Sequence, residues 1–385
     1  MTEGFVYDPS RPDFQARIYD VYRTLRDEYP VYRNPRSGVY ALSRFEDVRA
    51  AASDPKAFSS EGTSLSSGLL PHIQVMDPPR HDRLRQLVTV AFTPRRVAEM
   101  EPRIREIARG LLDQFAGKGS ADLMRDYARH VPSRAIGDMI GVPPERREAF
   151  LHWTESMVAV ADGKSQSANV QAPARKIYEE FARLLDERRR ARRDDLMSAL
   201  LDAEIDGEHL SQEELLGFCF VLIVAGNDTT TNLIANGAIL LAQHEDARRD
   251  LIADSGLVED AIEEMLRCES PAQALPRRAT REVRLHGVTI PEGSEVQLVW
   301  GAANRDEREF PDAGRFDVHR KFRRHLAFGQ GVHFCLGANL ARLEARVAFE
   351  ELLARLPDYR LAATPEWVTS VWARSPAAVP VRFTV

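Results

Sequence analysis

The sequence predicts a mainly α protein with small peripheral β-sheets, folded as a single domain over residues 1–385. Three observations predict it. Apolar residues recur at i, i+3, i+4 and i+7 spacing through most of the chain. Strand-like stretches are short and sit near both ends and late in the middle. No internal repeat or low-complexity linker divides the 385 residues, of which 44% are hydrophobic and 29% charged, enough for one large core.

Taken in order, helical spacing covers 14–28, 45–53, 95–116, 144–161, 172–191, 211–244, 257–268 and 337–356. Residues 31–32 and 39–42 read as a hairpin. Residues 283–285, 288–290 and 296–300 read as short strands, with Pro291-Glu292-Gly293 as a turn, and 378–385 as a final strand. Ser211-x-x-Glu214 is a capping box at the start of the longest helix. Asp77-Pro78-Pro79 is a helix-start signal, and it puts His81 and Arg85 at i, i+4 on one helical face.

Composition excludes several functions. A net charge of −6 makes no case for nucleic-acid or membrane binding. The basic run 188–193 reads as a solvated helix end. Cys219, Cys268 and Cys335 are too widely spaced for a disulfide framework or a zinc cluster. The N-terminus has no basic n-region or apolar h-region, and the longest apolar run, 215–226, falls short of the roughly 20 residues a bilayer requires. The expectation is a soluble, cytoplasmic, monomeric protein with no membrane anchor.

One cysteine has unusual surroundings. Cys335 lies in Phe328-Gly-Gln-Gly-Val-His-Phe-Cys-Leu-Gly337, ahead of a long helix. Glycines at 329, 331 and 337 let the backbone turn tightly and approach a flat, bulky group. The helix N-terminus favours a thiolate. A dinucleotide-binding reading fails, because Phe334 occupies the third glycine position and no strong strand precedes the loop. Zinc held by His333 and Cys335 lacks further ligands. In the longest helix, Ala225-Gly-Asn-Asp-Thr-Thr230 interrupts an apolar run with mediocre helix formers, and a local rule broken in a core marks a functional site.

Phe328-Gly329-x-Gly331-x-His333-x-Cys335-x-Gly337 resembles the haem-binding signature of the cytochrome P450 monooxygenases, with every fixed position filled. Ala338-Asn-Leu-Ala-Arg342-Leu-Glu344 is similar to the bacterial members. The resemblance implies the triangular single-domain P450 fold and a haem b cofactor with Cys335 as the iron ligand. Phe328, Gly329, Gly337, Ala225 and Gly226 would lie against the haem. His81, Arg85, His333 and Arg277 (from Arg277-Arg-Ala-Thr280) would anchor its propionates. Splitting dioxygen needs two protons. Thr229 and Asp228, in a motif similar to the family's oxygen-activating one, would hold oxygen and relay protons. Glu264-x-x-Arg267 matches a structural ion pair closed by a downstream arginine, Arg315 or Arg320. Family positions put Val221, Val224, Ala225, Ala272, Gln273 and Ala274 around the substrate. Leu69 and Leu70 belong to an access segment, 59–73, and Gln273 or His72 would supply polar contacts.

The activity implied is insertion of one oxygen atom of O2 into a C–H bond of a small to medium hydrophobic molecule. Electrons would come from a ferredoxin-type donor with its reductase, docking on the basic run of Arg315, His319, Arg320, Lys321, Arg323, Arg324 and His325. Two other readings share the haem: peroxide-driven oxidation, which leaves Asp228-Thr229 without a task, and a non-catalytic haem carrier or gas sensor, which leaves Thr229 unexplained.

Overall fold

The computed structural model describes residues 5–11, 13–66, 68–89, 92–160, 168–205 and 207–385. The N-terminal four residues, residue 67 of the access segment and the predicted helix end at 161 lie outside the described residues. The helices are α1 (Phe14–Glu28), α2 (Phe45–Ser53), α3 (Arg80–Thr89), α4 (Pro94–Glu99), α5 (Glu101–Leu112), α6 (His130–Ile140), α7 (Arg147–Val160), α8 (Ala168–Arg190), α9 (Leu196–Asp202), α10 (Gln212–Gln243), α11 (Glu245–Ala253), α12 (Val258–Cys268), α13 (Trp300–Ala303) and α14 (Ala338–Arg355). The strands are β1 (Val31–Arg33), β2 (Tyr40–Leu42), β3 (Phe58–Ser59), β4 (Ser120–Asp122), β5 (Glu204–Ile205), β6 (Glu208–His209), β7 (Leu275–Ala279), β8 (Val283–Leu285), β9 (Val288–Ile290), β10 (Glu295–Leu298), β11 (Arg360–Leu361) and β12 (Pro380–Arg382).

The fold is built around α10. Its capping box forms as predicted: Glu214 N donates to Ser211 Oγ at 3.2 Å, and Ser211 N donates to the Glu214 carboxylate at 3.0 Å. Its 32 residues run about 48 Å at 1.5 Å each. It is the one described helix long and apolar enough to cross a membrane, but its apolar window is mostly buried inside the protein. It packs against α6, α7, α8 and α14, which supply the partners its apolar faces need. Beside this helical layer lies a sheet in the order β1-β2-β10-β7-β3, with its own apolar core against α2.

The predicted hairpins form at β1–β2 and β8–β9. The predicted helix 95–116 is two helices, because Pro102 at the start of α5 cannot donate the bond that would continue α4. The strand expected to reach Trp300 stops at Leu298, and Trp300 opens α13 instead. Strand β7, Leu-Pro-Arg-Arg-Ala, escapes pattern reading because it contains a proline and two arginines. Pro276 is tolerated there because β3 pairs β7 only at Arg278 and Ala279, so the proline sits on a locally free edge.

A buried ion pair connects α12 to the chain that leads into the Cys335 loop. Arg267 donates twice to the Glu264 carboxylate, at 2.7 Å each, and both side chains are fully buried. Arg267 also donates to the carbonyls of Asn304, Ala313 and Arg315. Arg320 closes the group: its Nε reaches Glu264 Oε1 at 3.1 Å, and its other nitrogens donate to the carbonyls of Pro311, Asp312 and Arg315. Arg315 contributes only its backbone, its side chain being 72% exposed. The choice between Arg315 and Arg320 is therefore decided for Arg320. Replacing Arg320 with alanine removes one of the two arginines on the buried Glu264 carboxylate and leaves the Pro311 and Asp312 carbonyls without their donor, so urea denaturation should show a loss of about 2 kcal/mol. Arg315→Ala should stay within about 0.5 kcal/mol of the parent.

Candidate active site

Cys335 occupies a loop whose shape follows from its glycines. Gly329 and Gly331 have φ of 70° and 73°, which side chains rarely adopt. A Cβ at Gly331 would also sit 2.5 Å from the Ala52 carbonyl oxygen. Cys335 N donates to Phe328 O at 2.9 Å, closing the loop on itself. Burial pushes the Cys335 thiol up, while the Gly337 N–H, Arg85 and Arg342 act in the opposite direction. Arg342 is held in place by two bonds to Glu263, at 2.7 and 2.9 Å, and lies over the Phe328 ring.

This loop forms one wall of a cavity, and the middle of α10 forms the other. Water-molecule centres fit within about 230 Å³ of it, against the ~15 Å³ that a single water needs, so the cavity is of ligand size. Val221, Ala225, Gly226 and Thr229 face it from α10, with Phe328, Gly329, Cys335 and Gly337 opposite. The spacing follows one helical face, so Val224 and Asp228 point elsewhere. Gly226 has a second reason to be small: a Cβ there would press on Ile136 of α6 at 3.1 Å. Thr229 Oγ1 donates to Ala225 O at 2.8 Å, so its lone pairs are what it offers the cavity. The Asp228 carboxyl is raised to about 7, first by burial and then by Glu155 of α7, with the Asn227 amide opposing. Glu155 in turn is bound by Arg129 at 3.0 Å.

Four basic side chains line one edge of the cavity: His81, Arg85, Arg277 and His333. The rings of His81 and His333 meet edge-on with centroids 4.3 Å apart. His333 Nε2 pairs with Ser60 Oγ at 2.9 Å. Burial, then Arg277, His81 and Arg85, push His333 down to about 3. Burial also lowers Arg277 to about 10. Arg277 donates to the neighbouring Pro276 carbonyl, and Arg85 to the carbonyls of Val332 and Phe334. Among the described residues neither guanidinium meets a carboxylate at ion-pair distance, and His81 Nε2 is buried without a partner. Such a cluster is costly unless an anion completes it. A flat dicarboxylate with a central metal fits this donor set: two acid groups for the basic edge and a metal for the Cys335 sulfur.

Several expected pocket residues are placed differently. Val221 and Ala272 line the cavity; Val224, Gln273, Leu69 and Leu70 do not. Gln273 is turned into the core, where its Oε1 accepts from Tyr22 Oη at 2.8 Å and its Nε2 donates to Ser270 O. Leu69 and Leu70 line an outer groove against α8. Leu65 and Ile73 of the same segment, and Gln74 just after it, reach the cavity instead. His72 is buried off the cavity wall. Sequence reasoning gave no role to Ser60, which binds His333, or to Glu344, which lines the cavity with Oε1 unpaired and is raised by burial to about 8. An acid on the buried face of α14 was the available signal for Glu344; Ser60 had none.

A cysteine loop facing a hydroxyl-bearing helix across a cavity with a cationic edge defines a haem-thiolate oxidoreductase. Comparison with known proteins agrees. The cytochrome P450 family model matches residues 160–357. Cytochrome P450 107B1 of Saccharopolyspora erythraea is 40% identical, covering 99% of each chain. The vitamin D(3) 25-hydroxylase of Pseudonocardia autotrophica is 42% identical over 91% of this chain and 89% of that one. The structure of CYP109Q5 from Chondromyces apiculatus superposes with a TM-score of 0.91 at 42% identity, covering 98% of each. The chain belongs to the cytochrome P450 family and is an oxidoreductase that binds haem. Losing one charge-assisted bond to the cofactor should cost about 10- to 100-fold in its retention. Arg277→Ala and Arg85→Ala should therefore release haem to a scavenger protein faster by that factor, followed by loss of Soret absorbance.

Proposed function

We propose that the chain is a monooxygenase that hydroxylates a small to medium hydrophobic molecule with electrons from a ferredoxin-type donor. The observation that carries this is the placing of the Cys335 sulfur and the Thr229 hydroxyl on opposite walls of one cavity. When bound, the haem supplies the activation of dioxygen. Cys335 would hold its iron, and His81, Arg85, Arg277 and His333 would hold its acid groups. Thr229, its proton committed to Ala225 O, presents an acceptor that holds an O–H donor at the cavity wall. Asp228 lies one residue earlier, on the α7 side of α10, and supplies protons. Its raised carboxyl is a neutral acid below about pH 7.

Apolar side chains make up most of the substrate side, including Ile73, Ile136, Val221 and Leu222, with Gln74 as a polar contact. A relative named for vitamin D3 supports a hydrophobic substrate of that order of size. The donor would dock near the run 315–325. Five of its basic groups are already paired in the fold: Arg320 with Glu264, His325 with Glu263, His319 with Asp250, Lys321 with Asp260 and, at 3.9 Å, Arg315 with Asp317. Arg323 and Arg324 form no ion pair among the described residues, and exposed Phe334 offers an apolar contact beside the cysteine. Docking therefore rests on a narrower charge than the composition of the run suggests.

The reduced carbon-monoxide complex should show the red-shifted Soret band of thiolate ligation; a histidine-type band would overturn the reading. Thr229→Ala should keep haem yet divert most reducing equivalents to peroxide, measured as product formed per NADH consumed. Product formation should fall about tenfold per pH unit above pH 7 as Asp228 ionises, and Asp228→Asn should remove that break. Reduction by an acidic ferredoxin should slow severalfold in Arg323→Glu/Arg324→Glu and lose its salt dependence in stopped flow.

A further inference from the structure

Residues 68–76 close the outer side of the cavity. Ile73 and Gln74 line it, while Leu69 and Leu70 face the groove against α8. The segment is seated on α10 backbone to backbone, since a Cβ at Gly217 would overlap the carbonyl oxygen of Pro71. Among the described residues from 68 to 75, the hydrogen bond that reaches α8 or α10 is Leu70 N to Tyr178 Oη, at 3.2 Å. His72 lies under this seat. It is 3% exposed, and among the described residues neither ring nitrogen has a hydrogen-bond partner. Its ring is 6.3 Å from that of Phe220, which in turn lies 4.9 Å from the Tyr178 ring. A buried imidazole with both nitrogens unpaired is a standing cost, relieved when the ring reaches water.

We propose that His72 is an acid-released latch: neutral, it lies beneath the closed segment 68–76, and on protonation it lifts that segment and opens the route to the cavity. Gly217 is the seat that permits closure. The inference rests on the cavity being the substrate site.

Burial is the sole cause that lowers His72, to about 4 from an ordinary 6.5. No charged group among the described residues adds to that shift. Gly217 and Phe220 face it from α10. The Tyr178 phenol of α8 is held up to about 12 and stays neutral. Glu214, a turn before Gly217, is engaged by Ser211 and Arg80. The sign follows. The closed form carries the depressed value, so it binds fewer protons than the open form. Closure is fully favoured above pH 6.5 and is lost as pH falls toward 4. The open-to-closed ratio should rise about 30-fold between pH 8 and pH 5.

Hydrogen–deuterium exchange on the haem-loaded full chain tests this, with rates corrected for the intrinsic effect of pH. Protection of amides 68–75 should fall by roughly that factor between pH 8 and pH 5, while amides in the core of α10 hold theirs. His72→Phe should abolish the fall. Gly217→Ala should lower protection already at pH 8 and keep the pH response. A wild-type segment insensitive to pH, or an undiminished response in His72→Phe, overturns the latch. Each variant is checked for the thiolate-type carbon-monoxide spectrum, so a misfolded protein is recognised. A spin-state titration with testosterone reports on the cavity separately. Acid-dependent opening without any ligand response sinks the substrate-site reading, and a ligand response without acid-dependent opening sinks the latch alone.

Discussion

The Glu264–Arg267–Arg320 group is the constraint on which the site depends. A fully buried carboxylate and guanidinium are tolerable only when every donor and acceptor is used. Arg267 and Arg320 meet that demand by binding the carbonyls of residues 304, 311, 312, 313 and 315, which belong to an irregular stretch with few strands or helices of its own. Asn304 extends the network, accepting from Leu326 N at 2.6 Å just before the cysteine loop. The loop is therefore held from below by charge, and its glycines then set its shape. Arg342 and Glu263 add a second clamp. Although burial acts against it, Arg342 and His325 hold Glu263 down to about 2.

Around the cavity, charge is segregated. At the cavity edge, Arg85, Arg277 and His333 meet no carboxylate at ion-pair distance among the described residues, and His81 meets only Asp82, so the edge attracts an anion. On and behind α10 the acids are pushed the other way. Asp228 and Glu344 are both raised, chiefly by burial, and hold their protons near neutrality. An anion-binding edge, with one proton-holding acid on the cavity wall at Glu344 and another behind α10 at Asp228, suits a reaction that consumes protons beside a negatively charged cofactor. The α10 polar cluster causes no break in the helix: Thr229 satisfies itself on Ala225 O, and Asn227 donates to Thr154 of α7 at 3.2 Å.

Much of this was legible in the chain. Cys335 and its glycines, the capping box of α10, and the i, i+4 pair His81/Arg85 are local patterns, and local geometry carries them into three dimensions unchanged. The missed features are those whose cause is distant. Strand β7 is held by β10 and β3 despite Pro276. Gln273 turns inward because Tyr22, 251 residues away, offers a hydroxyl. Most of the basic run 315–325 is consumed by acids from α11 and α12, a neutralisation that no count of charges along the chain reveals.

By itself, then, the sequence determined the helical class, the cysteine loop, the polar interruption of α10 and, through its resemblance, the cytochrome P450 family. Periodicity, capping and glycine conformations act over a few residues, so they can be read without the fold. Only the tertiary structure decided that Arg320 and not Arg315 closes the ion pair, that Leu65, Ile73 and Gln74 replace Leu69, Leu70 and Gln273 at the cavity, and that His72 is buried without a hydrogen-bond partner among the described residues. Those outcomes depend on which distant groups compete for the same buried space and the same hydrogen bonds, and that competition is resolved only when the chain packs.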